Sequence, residues 1–494
     1  MKDFKRFPVI AAALLVLFLS ALDALIMAAA MPTIVADLGG LSLYSWVYSA
    51  ALLSRTVSLP IFGKLADLFK TKSLFMISTT IFLLASVMAG LSTSMGFLIF
   101  SRVIQGIGAG GNFALVYVIL TDVSSPEKRG KTLGFASFVW GIASVLGPTL
   151  GGLIVTYFSW RWIFFMNIPL GILSLGVVYF YLTEIREKKK KVYLDFAGVI
   201  TLSISILSLL TIFLIGGRTY PWISYEVLGL CLITLLFSIG FYLAEKRAPE
   251  PILSLEFFRF KGFRNGNMAV FLSSFVIFSL FAYAPLFIQG VLLKTPMEVG
   301  IAMLSLSLGW SMGSLMLGQV IHRIEKKISA VAGALLLGIA TGTTLLFETN
   351  TTMAFCFWTF LLAGLGMGFV TLATLLVVQN SLKTEDIGVA TSSHQFARTL
   401  GGTLGIGICG GLFTARLVRE MDKLSSDHLA EIMHQENIAN QIENIFNPEM
   451  LSQFSETALE ALRTAALSGL SLVFWIIFGI SILCFGCCLL LPKN

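Results

Sequence analysis

Residues 102–111 read RVIQGIGAGG, and residues 360–369, which follow at an offset of 258, read FLLAGLGMGF. Both stretches lie inside long apolar runs, and three glycines occupy the same alternating positions in each. These are Gly106, Gly108 and Gly110 in the first stretch, and Gly364, Gly366 and Gly368 in the second. Glycine lets membrane helices approach closely, and a repeat of such a pattern indicates structurally related halves. The pattern therefore predicts a helical membrane protein with an internal repeat.

The repeat extends beyond these glycines. At the same offset, Gly130, Gly147 and Gly152 correspond to Gly388, Gly405 and Gly410. GKLADLFKTK at residues 63–72 also matches GQVIHRIEKK at residues 318–327, at an offset of 255. We therefore predict a six-helix bundle with a cytoplasmic linker in residues 1–194, two inserted helices in residues 195–245, and a second six-helix bundle in residues 246–494.

Composition agrees with a protein that lies largely within a membrane. Of its 494 residues, 56% are hydrophobic and 12% are charged, whereas a soluble domain carries about 25% charged residues. A hydrocarbon core ~30 Å thick requires roughly 20 apolar residues in helical form, and the sequence contains fourteen such stretches. The predicted fold class is an all-α polytopic membrane protein with fourteen transmembrane helices.

The basic residues predict the orientation of these helices. With the N-terminus inside, 24 of the 34 lysines and arginines fall in cytoplasmic segments, 7 outside and 3 within helices, as the positive-inside rule requires. An even number of crossings returns the C-terminus to the cytoplasm. Residues 415–462 then form one large external loop, and we expect the protein in a bacterial cytoplasmic (inner) membrane.

Several other classes of protein lack support in the sequence. The net charge of +7 comes from basic residues in short loops, without the basic and aromatic stripe that a nucleic-acid partner requires. The six cysteines lie in apolar runs and the four histidines are scattered, so we expect neither a metal site nor an enzyme active site. The dinucleotide-like Gly106-x-Gly108-x-x-Gly111 lies inside an apolar helix and follows no strand, so we expect no cofactor.

A few charged residues lie deep within apolar runs, where each costs at least ~2.5–3.5 kcal/mol to insert. Asp23 and Arg102 lie ~12 Å and ~9 Å from the outer ends of their helices, at ~1.5 Å per residue, so we predict that they pair. Burial favours the neutral form of a carboxyl group, whereas a nearby arginine favours the ionised form. A change in the pairing would therefore load or release a proton. A permanent structural ion pair is the alternative.

Other polar residues in the helices are candidates for a substrate cavity. Arg55 and Arg398 lie near the middle of their helices without an obvious acidic partner in the sequence. Contact with an anionic substrate group and anchoring against backbone carbonyls are both open for them. Gln105, Gln289 and His394 complete the set of candidates. Three buried arginines against one aspartate favour a neutral, zwitterionic or partly anionic amphipathic substrate over a strongly cationic one.

The segment Gly147-Pro148-x-x-Gly151-Gly152 places a helix-breaking proline among small residues. This combination predicts a kink in the helix and a close contact with the opposite bundle. Ordinary helix packing would use the same residues, and it stays open as the alternative.

Together these features resemble the major facilitator superfamily, and specifically its fourteen-helix drug:proton antiporters. Four motifs carry the resemblance: LDALIMAAAMP at residues 22–32, GKLADLFKTK at residues 63–72, Arg102-x-x-Gln105-Gly106, and GPTLGG at residues 147–152. WRWIFFMNIPLG at residues 160–171 and RTLGG at residues 398–402 are similar to further motifs of the family. The resemblance spans the whole chain.

The resemblance implies roles for some of these residues. Asp67, with Gly63, Lys70 and Lys72, would belong to a gating loop that forms contacts in one conformation and breaks them in another. Arg102 would support proton transfer, and GPTLGG is similar to the signature of exporters.

The gating loop departs from the family pattern. Leu68 stands where the family has a basic residue, Lys70 where it has glycine, and Thr71 where it often has arginine. In the second half, His322 stands in the position of Asp67. We therefore expect the first-half loop to dominate gating.

The expected function is proton-coupled export of amphipathic small molecules or drugs by a monomer in the lipid bilayer. A dedicated exporter of one endogenous metabolite, such as a siderophore, is a close alternative. A proton symporter is also possible in principle, but GPTLGG and Asp23 favour antiport. A membrane enzyme or a receptor would not require a repeated architecture of two helical bundles with gating loops.

Overall fold

The computed structural model describes residues 3–39, 43–125, 127–183, 193, 195–216, 220–421 and 456–493. Within these ranges, the first-half helices are α1 Asp3–Leu38, α2 Tyr44–Leu68, α3 Thr71–Gly90, α4 Met95–Val123, α5 Arg129–Tyr157, α6 Trp162–Phe165 and α7 Asn167–Tyr181. The inserted helices are α8 Phe196–Ile215 and α9 Tyr225–Arg247. The second-half helices are α10 Lys261–Leu286, α11 Pro296–Val320, α12 Lys326–Thr344, α13 Met353–Asn380, α14 Ile387–Met421 and α15 Glu456–Leu489. Most of the predicted external loop, residues 422–455, lies outside the described residues.

Most of these helices are long and apolar enough to cross a membrane. In the described part of the chain, twelve spans qualify, with α6 and α7 counted together. The number rises to thirteen if the two segments of α5 form one crossing. The remaining helix of the expected fourteen is α2, which is less apolar because it carries side chains such as Arg55 and Ser58. The all-α membrane fold is confirmed, and the count of fourteen stays a prediction.

Side-chain caps mark where several helices begin. The side chains of Ser94 and Asp195 each accept a hydrogen bond from a backbone N–H three residues further on. Thr295 and Glu298 form a reciprocal capping box at the start of α11. Such caps satisfy backbone donors that the first helical turn leaves without partners. Because lipid offers no hydrogen-bond partners, the chain inside the membrane must be helical.

The glycine repeat produces equivalent packing in the two halves. A Cβ atom on Gly110 of α4 would lie 2.5 Å from the carbonyl oxygen of Arg55 in α2. A Cβ atom on Gly368 of α13 would lie 2.5 Å from the carbonyl oxygen of Trp310 in α11. On their other faces, the glycines of α4 and α13 contact α3 and α12 in the same corresponding way. This equivalence supports the two predicted bundles, whose boundaries stay predictions.

The two inserted helices form a hairpin beside the bundles. α8 packs against α2 and α14, where Phe213 covers Gly407. α9 packs chiefly on α8, and the Oγ atoms of Ser205 and Ser238 lie 2.7 Å apart between them. Most of the remaining surface of α9 is apolar and exposed. The hairpin therefore enlarges the lipid-facing surface rather than the interior.

An ion pair holds the end of α1 to the start of α6. Asp37 Oδ2 accepts hydrogen bonds from Arg161 Nη1 at 2.8 Å and from Trp160 Nε1 at 3.0 Å. These hydrogen bonds lower the pKa of Asp37 below its ordinary value, and the one from Arg161 lowers it more than the one from Trp160. Arg161 also donates to the carbonyl oxygen of Ser92 at 3.2 Å. Two residues of the WRWIFF segment thereby join α1 to the turn between α3 and α4.

The packing of Gly368 generates a testable prediction. We expect Gly368→Leu to destabilise the protein by ~1–3 kcal/mol, because a larger side chain overfills a packed contact. The measurement is thermal unfolding in detergent. Gly479→Leu in α15 is the matched control, because nothing lies within 4 Å of a Cβ atom there. Equal melting temperatures for the two variants would contradict the assigned contact.

Candidate functional site

Asp23 of α1 and Arg102 of α4 form the ion pair that their depths in the sequence predict. Arg102 Nη1 lies 2.7 Å from Asp23 Oδ2, and the two side chains are 2% and 7% exposed. Gln105 donates from Nε2 to Asp23 Oδ1 at 2.9 Å and accepts from Arg102 Nη1 at 2.6 Å. Both carboxylate oxygens of Asp23 therefore have a donor. Hydrogen bonds to charged groups are shorter and stronger than those between neutral groups.

This ion pair belongs to a wider hydrogen-bond network. Ser86 Oγ of α3 accepts from Gln105 Nε2 at 2.9 Å and from Asn167 Nδ2 of α7 at 3.3 Å. Arg102 Nε donates to the carbonyl oxygen of Val47 in α2 at 3.4 Å. Five helices of the first half thus meet around one carboxylate. A change in the charge of Asp23 would disturb contacts in all of them.

The ion pair forms one wall of a pocket. The pocket is lined by Ser20, Asp23, Ala24, Tyr48, Ala51, Leu52, Arg55, Arg102, Gln105, Gly106 and Ala109. Its cavity volume is about 30 Å³, so the pocket is narrow in this conformation. Six of the eleven lining residues carry a polar or charged side chain, and convergent polar groups of this kind orient ligands in small-molecule sites.

Two arginines from different halves lie on the same aromatic side chains. Arg55 Cζ lies 4.4 Å from the ring centroid of Phe113 and 5.4 Å from that of Trp140. Arg398 Cζ lies 5.1 Å and 5.8 Å from the same two centroids. The two cations are therefore neighbours at the boundary between the halves. Among the described residues, no carboxylate forms an ion pair with either arginine.

Arg398 and the remaining cavity candidates lie outside the lining of this pocket. His394 is fully buried, and its Nε2 lies 2.9 Å from Thr374 Oγ1 of α13. Gln289 lies in a π-helical turn, Phe287–Val291, that follows α10, and it is partly exposed. In the described residues, no group of three His, Cys, Asp or Glu side chains is placed to hold a metal ion.

Asp67 connects the first-half gating loop to the second half. Its Oδ1 and Oδ2 accept hydrogen bonds from the backbone N–H groups of Gly388 at 2.7 Å and Val389 at 2.8 Å. These N–H groups open α14, and a helix N-terminus favours a negative charge. Gly63, one turn before Asp67, packs so closely on Gly388 that a Cβ atom there would overlap the carbonyl oxygen of Gly63.

Two further contacts join the halves at the same ends of the helices. Gln379 Nε2 of α13 donates to Thr121 Oγ1 of α4 at 3.0 Å. Gly130 at the start of α5 packs directly on Gly318 near the end of α11. The structure is therefore closed between its halves at the end where Asp67 lies.

The two lysines of the gating loop lie at the start of α3. Lys70 is exposed and precedes the first helical turn. Lys72 Nζ donates to the carbonyl oxygen of Tyr179 in α7 at 2.6 Å and lies 5.1 Å from the ring centroid of the same tyrosine. Lys72 thereby supports contacts inside the first half.

The GPTLGG segment differs from the sequence-based expectation in its contacts. The two segments of α5, Arg129–Ser144 and Thr149–Tyr157, meet at an angle of 42°, and the break between them contains Gly147 and Pro148, in agreement with the predicted kink. A Cβ atom on Gly147 would lie 2.8 Å from Leu25 Cβ of α1, and nothing lies within 4 Å of one on Gly152. Gly147 therefore contacts its own half, and the expectation of a close contact with the opposite bundle is wrong for it. Gly130, Gly134 and Gly141 of α5 do pack against the opposite half.

Sequence reasoning did not identify several residues around the two arginines. Trp140 and Trp310 approach them only because α5 and α11 pack together, and neither has a local signal in the sequence. Gln395 precedes Arg398 by three residues and shares its helix face, so its position could have been predicted. Tyr48 lines the pocket from a half-exposed position in α2.

Known proteins resemble the chain in sequence. A sequence profile of the Major Facilitator Superfamily matches residues 13–406. "Multidrug transporter protein MdtP" of Bacillus subtilis (strain 168) is 34% identical over 493 residues, which cover 96% of this chain and 91% of the relative. "Multidrug resistance protein 3" of the same strain is 32% identical over 471 residues, covering 93% of this chain and 90% of the relative.

Solved structures resemble the chain in fold. The human organic anion transporter MFSD10 superposes with a TM-score of 0.61 at 15% identity, covering 96% of this chain and 99% of that one. The proton:xylose symporter XylE gives a TM-score of 0.62 at 14% identity, covering 98% and 95%. At these identities the likeness concerns the fold alone.

The Asp23–Arg102 pair generates a prediction on stability. We expect Arg102→Leu and Asp23→Asn each to lower the melting temperature strongly, because loss of one partner leaves a buried group uncompensated, at ~3–5 kcal/mol. The double variant should lose clearly less than the sum of the two single variants. Thermal unfolding in detergent measures this coupling. Asp37→Asn with Arg161→Leu is the control pair, since both side chains are at least one-third exposed, and additive losses at both pairs would contradict the prediction.

The capping of α14 by Asp67 generates a prediction on local opening. We expect Asp67→Ala to speed hydrogen exchange at the start of α14 by about 10- to 100-fold, since each lost hydrogen bond to a charged group is worth ~1.5–3 kcal/mol. Hydrogen-exchange mass spectrometry of a peptide covering Gly388 and Val389 measures this rate. Asp37→Ala, at the opposite end of the first half, should leave the rate unchanged, and equal rates in both variants would show that Asp67 does not cap α14.

Proposed function

This chain belongs to the major facilitator superfamily, whose members are transporters rather than enzymes, and we propose that it is a proton-coupled exporter of amphipathic small molecules. The names of the two Bacillus relatives, a multidrug transporter and a multidrug resistance protein, support efflux as the direction of transport. Both relatives match this chain over more than nine-tenths of its length.

The position of Asp23 is the main observation that supports proton coupling. In the described residues, Asp23 and Glu245 are the buried carboxylates, and Glu245 lies in the last turn of α9, outside both bundles. Asp23 lines the pocket and has an arginine partner within the same wall. A carboxylate that faces the substrate space can hold either a proton or its ion-pair partner. This is the chemistry that an exchange of protons for substrate requires.

The proposed exchange uses the two forms of Asp23. In its ionised form, Asp23 binds Arg102 and Gln105 and holds the first-half network together. Protonation removes the charge that Arg102 pairs with and weakens contacts that involve five helices. In this exchange, the substrate occupies the pocket next to Asp23 while Asp23 is ionised. When the substrate leaves, a proton binds to Asp23 in its place. The carboxylate therefore couples occupancy of the pocket to the arrangement of the first half.

Alternating access in this proposal requires the two halves to separate at the end of the molecule where Asp67 contacts α14. The positive-inside distribution of basic residues supports a cytoplasmic location for this end. Opening toward the cytoplasm requires Asp67 to leave the N–H groups of Gly388 and Val389. Asp67 would thus serve as the switch, supported by Gly63, which makes the close contact possible.

The setting of the proposed transporter follows from the same features. We place it in a bacterial cytoplasmic membrane, with both termini inside and residues 415–462 outside. It would act as a monomer, with a small molecule and protons as its partners, because one chain already contains both halves and the pocket.

A test of the function uses purified protein in liposomes loaded with a pH-sensitive dye. We expect amphipathic compounds to release protons across an imposed gradient in the wild type. Asp23→Asn should abolish this coupled movement by at least about tenfold, because an amide cannot carry the proton. Asp37→Asn replaces a carboxylate outside the pocket and should transport like the wild type.

The outcomes separate the alternatives. Proton movement with many unrelated amphipaths supports multidrug efflux, and movement with one compound only supports a dedicated exporter of a single metabolite such as a siderophore. Proton movement in the same direction as the substrate would identify a symporter. Unchanged coupling in Asp23→Asn would remove Asp23 as the proton carrier, while substrate counterflow in that variant checks that it is folded.

A further inference from the structure

The boundary between the halves holds more positive charge than the described residues neutralise. Arg55 and Arg398 are 9% and 5% exposed, and both lie on Phe113 and Trp140. The nearby carboxylate of Asp23 is already occupied by Arg102 and Gln105. Contact with aromatic faces attracts a cation, but it does not remove the cost of burying two like charges together.

Several hydrogen-bond donors at the same boundary also lack partners in the described structure. They are Arg55 Nε, the Nε1 atoms of Trp140 and Trp310, and Gln395 Nε2; Gln395 Oε1 is an acceptor without a partner at the same place. Gln395 is fully buried and precedes Arg398 by three residues on α14, so the two side chains share a helix face. Trp310 lies 5.7 Å from Arg398 Cζ, measured to the ring centroid. A buried donor without an acceptor is destabilising, so this set favours an acceptor-rich guest.

We propose that the cluster of Arg55, Arg398, Trp140, Trp310 and Gln395 binds the carboxylate of an acidic amphipathic substrate. A carboxylate presents only acceptors and matches the forked geometry of arginine. The tryptophan and phenylalanine faces contact the apolar part of the same molecule. This assignment rests on the proposed export function, because it names the class of substrate for the pocket that Arg55 lines.

The position of the cluster gives the bound carboxylate a second effect. Arg55, Phe113 and Trp140 belong to the first half, whereas Trp310, Gln395 and Arg398 belong to the second. An anion between Arg55 and Arg398 would favour the conformation in which the halves approach each other. A ligand shifts an equilibrium only through such a difference in affinity between two states. The acidic group would therefore provide binding energy for the conformational change.

The experiment compares dansyl-aminohexanoate with its primary amide, two probes that differ in one charged group. Binding to purified protein in detergent is followed by dansyl fluorescence. We expect the wild type to bind the carboxylate about tenfold more tightly than the amide. In Arg55→Gln and Arg398→Gln this preference should fall to about one while affinity for the amide is retained. Equal binding of both probes by the wild type would overturn the proposal.

Further variants make the result specific. Arg161→Gln removes an arginine that lies 4.3 Å from the ring centroid of Trp160, away from the pocket, and it should keep the wild-type preference. Arg398→Lys should restore part of the preference, since it keeps the charge but loses the fork. A preference that survives in the double variant Arg55→Gln, Arg398→Gln would overturn the site. Amide binding and the melting temperature show which variants are folded.

Two further measurements distinguish binding of a substrate carboxylate from binding of an inorganic anion and from the proposed proton coupling. Replacing sodium chloride in the buffer by an uncharged osmolyte should leave the preference for the carboxylate in place. A preference that is abolished by chloride would show that the site takes a free inorganic anion, and the proposal would be wrong. Asp37→Asn should retain the preference, because Asp37 lies outside both the cluster and the pocket lining. Proton coupling in a wild type that binds both probes equally would contradict only the substrate class, and a preference for the carboxylate without proton coupling would contradict only the proposed function.

Discussion

A charge inside a lipid bilayer is costly unless it is paired, because the hydrocarbon offers neither water nor counterions. The ion pair of Asp23 and Arg102 meets this requirement by placing both charged groups in the first half, where Gln105, Ser86 and the carbonyl of Val47 complete their hydrogen bonds. Groups from five helices of the first half therefore converge on one carboxylate. In the proposed function, protonation of Asp23 would weaken these contacts and so act on the conformation.

The two halves use the same packing and yet differ in their polar groups. Glycines of α4 and α13 bring each of these helices against the second and third helices of its own half. Only the first half places a carboxylate in the described pocket, and only the first-half loop has an aspartate that caps a helix of the other half. The second half contributes Arg398 to the boundary instead. The two halves thus share their glycine packing, and they differ in the buried carboxylate, the aspartate that caps α14 and the arginine at the boundary.

Much of this arrangement could be predicted from the sequence, and the remainder depends on packing. The glycine repeat, the apolar runs and the depths of Asp23 and Arg102 are local properties, so the all-α fold and the ion pair followed from them. The contact of Asp67 with α14 could not be predicted, because it joins residues more than three hundred positions apart in the chain. The same holds for Trp140 and Trp310, which reach the arginines only through the crossing of α5 and α11. Gly147 was assigned to the wrong neighbour because small residues indicate a close approach without naming the partner helix.

Direct detection of proton release tests the central claim most closely, namely that substrate and proton compete through Asp23. The purified protein in weakly buffered detergent solution receives a saturating amphipathic substrate, and an indicator dye follows the pH. The account predicts that substrate binding releases protons from the wild type and from Asp37→Asn, and none from Asp23→Asn. Equal proton release from Asp23→Asn, at full binding of the substrate, would contradict it.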